Sequence, residues 1–305
     1  MKNLLLIILL FVSFNVQAQY RMGLIPRVSP TQEILNTVGY TEVGIQYSSP
    51  SVKNRDIWGD LVPYGKIWRA GANEATKLTF SKNVLIGGNE VPSGSYALFI
   101  IPQEHGKWTV ILNEVADQWG AFSYDSNKDV LRMEVLPRFN ISYEEKLRYE
   151  VVDIGFEYGI IRMQWENVEM EIEFMTQFND NFINKIQTTS DTLPEQDQWV
   201  VYLQGAEFLA ERKQRLDTAA SWISMAEINY LKYDHPFRKN EPYYLGHIHW
   251  IKALVSVCLN NDKDALTSIN KLKELDGGKG YYSRSNNKEV IDLLEKQLNE
   301  KLKRN

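Results

Sequence analysis

From Thr41 to Met175 apolar and polar positions alternate with period two, in short runs rich in branched and aromatic residues. That spacing predicts strands with one face buried. The clearest run is 168–174, where Val168, Met170, Ile172 and Phe174 alternate with Glu169, Glu171 and Glu173. One face should be buried and the other wet. Its hairpin partner is expected at 160–165, across Glu166 and Asn167. Further strands are expected at 43–47, 77–80, 84–86, 96–101, 108–112, 130–135 and 148–154, about nine in all. Turn residues separate them: Gly87, Gly88 and Asn89; Pro92, Ser93 and Gly94; His105 and Gly106. Closely spaced short strands with no helical pattern between them point to antiparallel hairpins in a jelly-roll-like β-sandwich over residues 25–176. A long loop, 48–67, interrupts the rhythm.

Beyond Met175 the period changes. A polar stretch, 177–197, with Thr188, Thr189, Ser190, Asp191 and Pro194, reads as a linker, and helical spacing follows over 198–303. Val200, Leu203, Ala206, Phe208 and Leu209, then Leu216, Ala219, Ala220, Ile223 and Ala226, fit two amphipathic helices. A second pair is expected at 244–259 and 265–275, the latter closed by Gly277 and Gly278, with a last helix at 289–302. Ala219, Ile223 and Ala226 share their offsets with Ala265, Ile269 and Leu272. The pairs therefore resemble tetratricopeptide repeats, although the closing proline is missing and Gly205-Ala206 is displaced. A plain helical bundle would look similar. The fold class is thus α+β, a sandwich followed by all-α hairpins.

Residues 1–18 carry Lys2, an apolar run from Leu4 to Phe14 broken by Ser13, and then Asn15, Val16, Gln17 and Ala18. At about eleven residues the run is short of the roughly 20 needed to span a bilayer, so a signal peptide cleaved after Ala18 is expected. The alternative is an uncleaved anchor, and no later segment is apolar enough to span. Export to the periplasm or beyond follows. The single cysteine, Cys258, lies far from the cleavage point, which excludes a lipoprotein, and it can make no internal disulfide. In its apolar helical setting a buried inert thiol is expected. The net charge is −5, and the basic residues are scattered except at Lys301, Lys303 and Arg304, so nucleic acid is not an expected partner.

The densest polar and aromatic stretch runs through Asp56-Ile57-Trp58-Gly59 and Val62-Pro63-Tyr64-Gly65 to the segment from Trp68, Arg69, Ala70 and Gly71 to Asn73, Glu74, Ala75 and Thr76. These segments, with Pro92-Ser93-Gly94-Ser95-Tyr96, Trp108-Thr109-Val110-Ile111-Leu112-Asn113 and Gln118-Trp119-Gly120-Ala121, closely resemble an exported family catalogued only as domain of unknown function 2911. The resemblance covers roughly residues 28–174 and implies the same architecture with a helical tail. It implies no activity, substrate or catalytic residue.

Trp58, Trp68 and Trp119 would offer flat apolar platforms, and Arg69, Asn73, Glu74 and Asn113 directed hydrogen bonds, as a small-molecule, glycan or peptide site requires. The competing reading is a structural lock, with Arg69 paired to Glu74 and Asn73 capping a turn. A hydrolase acting on envelope glycans or peptides would need two carboxylates across a cleft, from Glu74, Glu114 and Asp125. The chain carries no serine elbow and no phosphate-cradling glycine loop, so no cofactor is expected. His105 sits in a turn, His235 precedes Pro236, and His247 and His249 lie about 200° apart on one helix, so no metal site is expected. The best reading is a non-catalytic binding protein whose helical hairpins offer a groove to a protein partner. The alternatives are the hydrolase and a purely structural protein.

Overall fold

A computed structural model describes residues 26–234, 242–284 and 286–304. The expected signal peptide and His235 lie outside them. The chain divides into two compact units between Asn179 and Asp180.

The N-terminal unit holds two antiparallel sheets. In chain order its strands are β1 (Thr31–Val38), β2 (Thr41–Ser48), β3 (Thr76–Phe80), β4 (Val84–Ile86), β5 (Asn89–Val91), β6 (Gly94–Ile101), β7 (Trp108–Asn113), β8 (Asp129–Val135), β9 (Arg138–Val152) and β10 (Tyr158–Thr176). One sheet has the order β1-β2-β3-β6-β7-β8 and the other β5-β4-β10-β9. The β4–β5 hairpin leaves the six-stranded sheet for the four-stranded one, and the chain returns in β6, which pairs with β3. Inward residues of both sheets meet in one buried cluster. Ile45, Leu78, Leu98 and Val110 come from the first, and Ile86, Tyr149, Met163 and Phe174 from the second. Burying that much branched and aromatic surface is the main term holding the unit together.

Two strands escape the alternation rule. β1 is an edge strand with most of its side chains exposed, so little periodicity marks it, and its ladder to β2 is made by backbone. β5 is only three residues long. The expected hairpin at Glu166 and Asn167 is instead a bulge within one 19-residue strand, β10, which pairs with β9 on both sides of it. Glu166 alone takes a positive φ, +57°, whereas a two-residue type I′ reversal needs two such residues. The acidic face of β10 is also less wet than its alternation suggests. Glu169 is buried, and it and Glu171 are ion-paired to Arg138 and Arg162.

The second unit is helical. Much of the polar stretch expected as a linker folds as α1 (Phe178–Thr192) and a short 3-10 turn (Glu195–Asp197), and α2 (Gln198–Glu211), α3 (Leu216–Lys232), α4 (Tyr243–Cys258), α5 (Asp262–Leu275) and α6 (Asn287–Arg304) follow. α2 packs on α3 and α4 on α5. The residues that share offsets, Ala219, Ile223 and Ala226 in α3 and Ala265, Ile269 and Leu272 in α5, are all buried. Gly205 permits the close approach of α3, because a Cβ there would lie 2.8 Å from the Trp222 ring. Cys258 is half-buried, with its thiol directed at the Ala210 carbonyl. Among the described residues no helix is long and apolar enough to cross a membrane.

Candidate functional site

The chain between β2 and β3 is irregular but closely tied to the sheets. Trp68 and Ile100 exchange backbone hydrogen bonds of 2.8 and 2.9 Å, Ala72 N donates to Ser48 O, and Thr76 N to Arg69 O. Ala70 holds a left-handed backbone, φ +54°, and its carbonyl accepts from both the Thr76 and the Tyr149 hydroxyl at 2.8 Å. A non-glycine residue persists in that region only when its surroundings over-determine it. Here two buried donors do so.

Trp68 belongs to this interior, and Trp58, partly buried, packs against it. With Trp108 and Trp165 they form a four-ring cluster, with centroids 4.7 Å apart for Trp58–Trp108 and 5.8 Å for the stacked Trp68–Trp165 pair. Trp68 is only 7% exposed, and its indole N–H donates to Gly71 O at 3.1 Å. Asn113 is fully buried. It donates to Asp125 O and Asp129 Oδ1, both at 2.9 Å, and accepts from Val115 N, which fixes the end of β7. Asn73, at φ +58°, donates to Ser29 O and Ser48 Oγ. The expected Arg69–Glu74 ion pair does not form. Glu74 pairs with Arg27 at 2.6 Å, while the buried Arg69 Nε has no acceptor among the described residues.

Glu74 and Trp119 meet at the surface. Ala75 N donates to Gln118 O and Gly120 N to Asn73 O, a strand-like pairing that buries Gln118 and turns Trp119 outward, 51% exposed. The guanidinium carbon of Arg27 lies 5.8 Å from the Trp119 ring centroid. Together they border a hollow of about 390 Å³, whose floor includes Gln46 and Lys77, cross-strand neighbours on β2 and β3, and whose rim includes Asp117, ion-paired to Lys77. A second hollow, of about 310 Å³, shares Gln46 and Lys77 and continues past Thr79 and Ser95 along the same face. A flat aromatic beside amides, hydroxyls and paired charges is the chemistry that holds sugars and peptides.

Residues 29–174 match the model of a family described as protein of unknown function (DUF2911). The DUF2911 stretch contains both hollows' floors and Trp119, and leaves out Arg27. No curated protein and no solved structure matches the chain.

Within the DUF2911 stretch the candidate carboxylates are each engaged. Partial burial pushes the Glu74 carboxyl up, but the hydrogen bond and charge of Arg27 outweigh it and hold the group below the usual carboxylate range. That suits a charge partner and opposes a general acid, which needs a raised value. Glu114 pairs with Lys128 at 2.6 Å, and Asp125 accepts from Asn127 N, capping a 3-10 turn. In the helical unit His247 contacts Glu207 at 2.9 Å and stacks on Tyr281, whereas buried His249 faces Glu227 at 3.7 Å, so the two rings have different partners. Among the described residues no group of three or more histidine, cysteine or acidic side chains is placed to hold a metal. The hollow's Gln46, Lys77, Asp117 and Arg27 were not singled out from sequence. Alternation would have found the first two, since Gln46 lies between buried Ile45 and Tyr47, and Lys77 between buried Thr76 and Leu78.

Proposed function

We propose that this is an exported, non-catalytic binding protein, whose N-terminal unit takes a glycan or short peptide in the hollow beside Trp119. The observation that carries the reading is the half-exposed Trp119 ring, standing over a polar floor of Gln46 and Lys77 and flanked by the Arg27–Glu74 pair. Of the candidate residues, Trp119 and Glu74 contact ligand. Trp58, Trp68, Asn73 and Asn113 hold the scaffold, and Arg69 lies outside the lining of this hollow. Signal cleavage after Ala18 and residence in the periplasm or outside the cell are part of the same reading, supported by the short apolar run at 4–14.

The shared core of the two sheets supports a jelly-roll-like sandwich over 25–176. The matched burial of Ala219, Ile223 and Ala226 with Ala265, Ile269 and Leu272 supports tetratricopeptide-like hairpins over 198–303, a scaffold suited to a protein partner. The test is titration calorimetry of the full chain against a panel of soluble envelope glycans and peptides. A ligand bound by the wild type should bind at least tenfold more weakly to Trp119→Ala, whose melting temperature should be unchanged. Equal affinity of the variant for every ligand found would overturn the assignment.

A further inference from the structure

A different hollow, of about 320 Å³, opens beside the tryptophan cluster. Its lining includes Leu61 and the nearly buried Val62, Trp68 and Trp165, and its charged members are Lys53, Arg55 and Arg69. Among the described residues no acidic side chain lines it. Arg69 is set by the loop's backbone ties on both sides, Trp68 to Ile100 and its own carbonyl to Thr76 N. Its Nε is buried with no acceptor, and the guanidinium has no ion pair among the described residues. Burial alone pulls that group below its ordinary value. Arg55 is pinned by bonds from its guanidinium to Val52 O and Ser51 O, and the nearby acid, Glu145, is taken by Lys53 N and the Tyr143 hydroxyl. Arg69 also borders a smaller hollow of about 280 Å³ with Lys66, Ile67 and Phe122, which adds a cation and, among the described residues, no acid.

A guanidinium stays charged at any physiological pH, and one held partly out of water without an acceptor destabilises the fold. An occupant that supplies an oxyanion reverses this. The planar fork matches a carboxylate with two parallel bonds, and the apolar lining, in which Leu61 is exposed, favours an apolar body behind it. We propose that the Trp68–Arg69 hollow binds a small organic carboxylate, with Arg69 as its principal anchor and Lys53 and Arg55 supplying field. This site is independent of the glycan or peptide hollow. Among the described residues it shares no lining residue with it, so either can fail alone.

The probes are benzoate, its uncharged analogue benzamide, and inorganic phosphate, each titrated into the full chain by calorimetry and thermal shift. Benzoate should bind and raise the melting temperature, with affinity falling as chloride is added, and benzamide and phosphate should bind at least tenfold more weakly. Arg69→Met should lose at least tenfold in benzoate affinity. Unliganded, it should melt no lower than the wild type, because it removes an uncompensated charge. Lys53→Asn, which tolerates the left-handed backbone there (φ +51°), gives a second, milder loss if Arg69→Met does not fold. A response to benzamide equal to benzoate would overturn recognition of charge. Equal response to phosphate would overturn the organic body. Wild-type indifference to benzoate, or unchanged affinity in the variants, would overturn the site.

Discussion

Truncating Trp68 separates a core role from a ligand role. A tryptophan buries about 150–250 Å² of ring surface, which at about 25 cal/mol per Å² amounts to roughly 4–6 kcal/mol as an upper bound. Trp68 is 7% exposed, stacks on Trp165 and meets Trp58 edge-on at 5.7 Å, and its N–H bond to Gly71 O is lost as well. Large-to-small replacements of this kind cost about 3–5 kcal/mol, so Trp68→Ala should destabilise the N-terminal unit by about 4 kcal/mol. With a urea dependence of about 2 kcal/mol per molar, the midpoint should fall by about 2 M. The assay is urea titration of the full chain. Near-UV circular dichroism would follow the packed indoles while far-UV signal follows the helices, since two units need not unfold together. A midpoint shift below about 0.5 M would refute the claim that this ring belongs to the core.

Asn113→Ala should cost about 2 kcal/mol, because it strips two acceptors and one donor of their partner in a buried place; an unchanged urea midpoint would contradict this. Gly205→Ala should lower the helical unit's melting temperature despite alanine's better helix propensity, since overpacking against Trp222 costs about 1–3 kcal/mol; a rise in melting temperature would count against it. His249 is driven down to about 4 by burial and by the charges of Lys252 and Lys271, which together outweigh Glu227. The unfolded chain, with a value near 6.5, protonates first, so stability should fall by roughly 3 kcal/mol between about pH 6.5 and pH 4 and then level off. His249→Gln should flatten that part of the helical unit's pH profile, and identical slopes in variant and wild type would refute it.

The parts legible in the sequence are those where side-chain pattern and burial coincide. The alternation of 168–174 marked the core-facing positions in the second half of β10, and the offsets of Ala219, Ile223 and Ala226 marked the buried stripe of α3. Where backbone alone makes the structure, as in β1, or where one left-handed residue replaces a reversal, as at Glu166, pattern carries little signal. The site shows the same division. That aromatic and polar residues concentrate between Trp58 and Thr76 was visible. Which rings face inward was not, because it depends on pairing Trp68 with Ile100 and Glu74 with Trp119, both remote in sequence. The Arg27–Glu74 pair spans 47 positions, and the local Arg69–Glu74 alternative, only five apart, was the natural expectation.

Oxidative footprinting read by mass spectrometry tests most directly which tryptophans are open. On the folded chain Trp119 should be oxidised rapidly and become protected when a bound glycan or peptide fills the hollow, while Trp68 stays unmodified until the N-terminal unit unfolds. Oxidation of Trp68 at the rate of Trp119, or a bound glycan or peptide that leaves Trp119 reactive, would contradict the account.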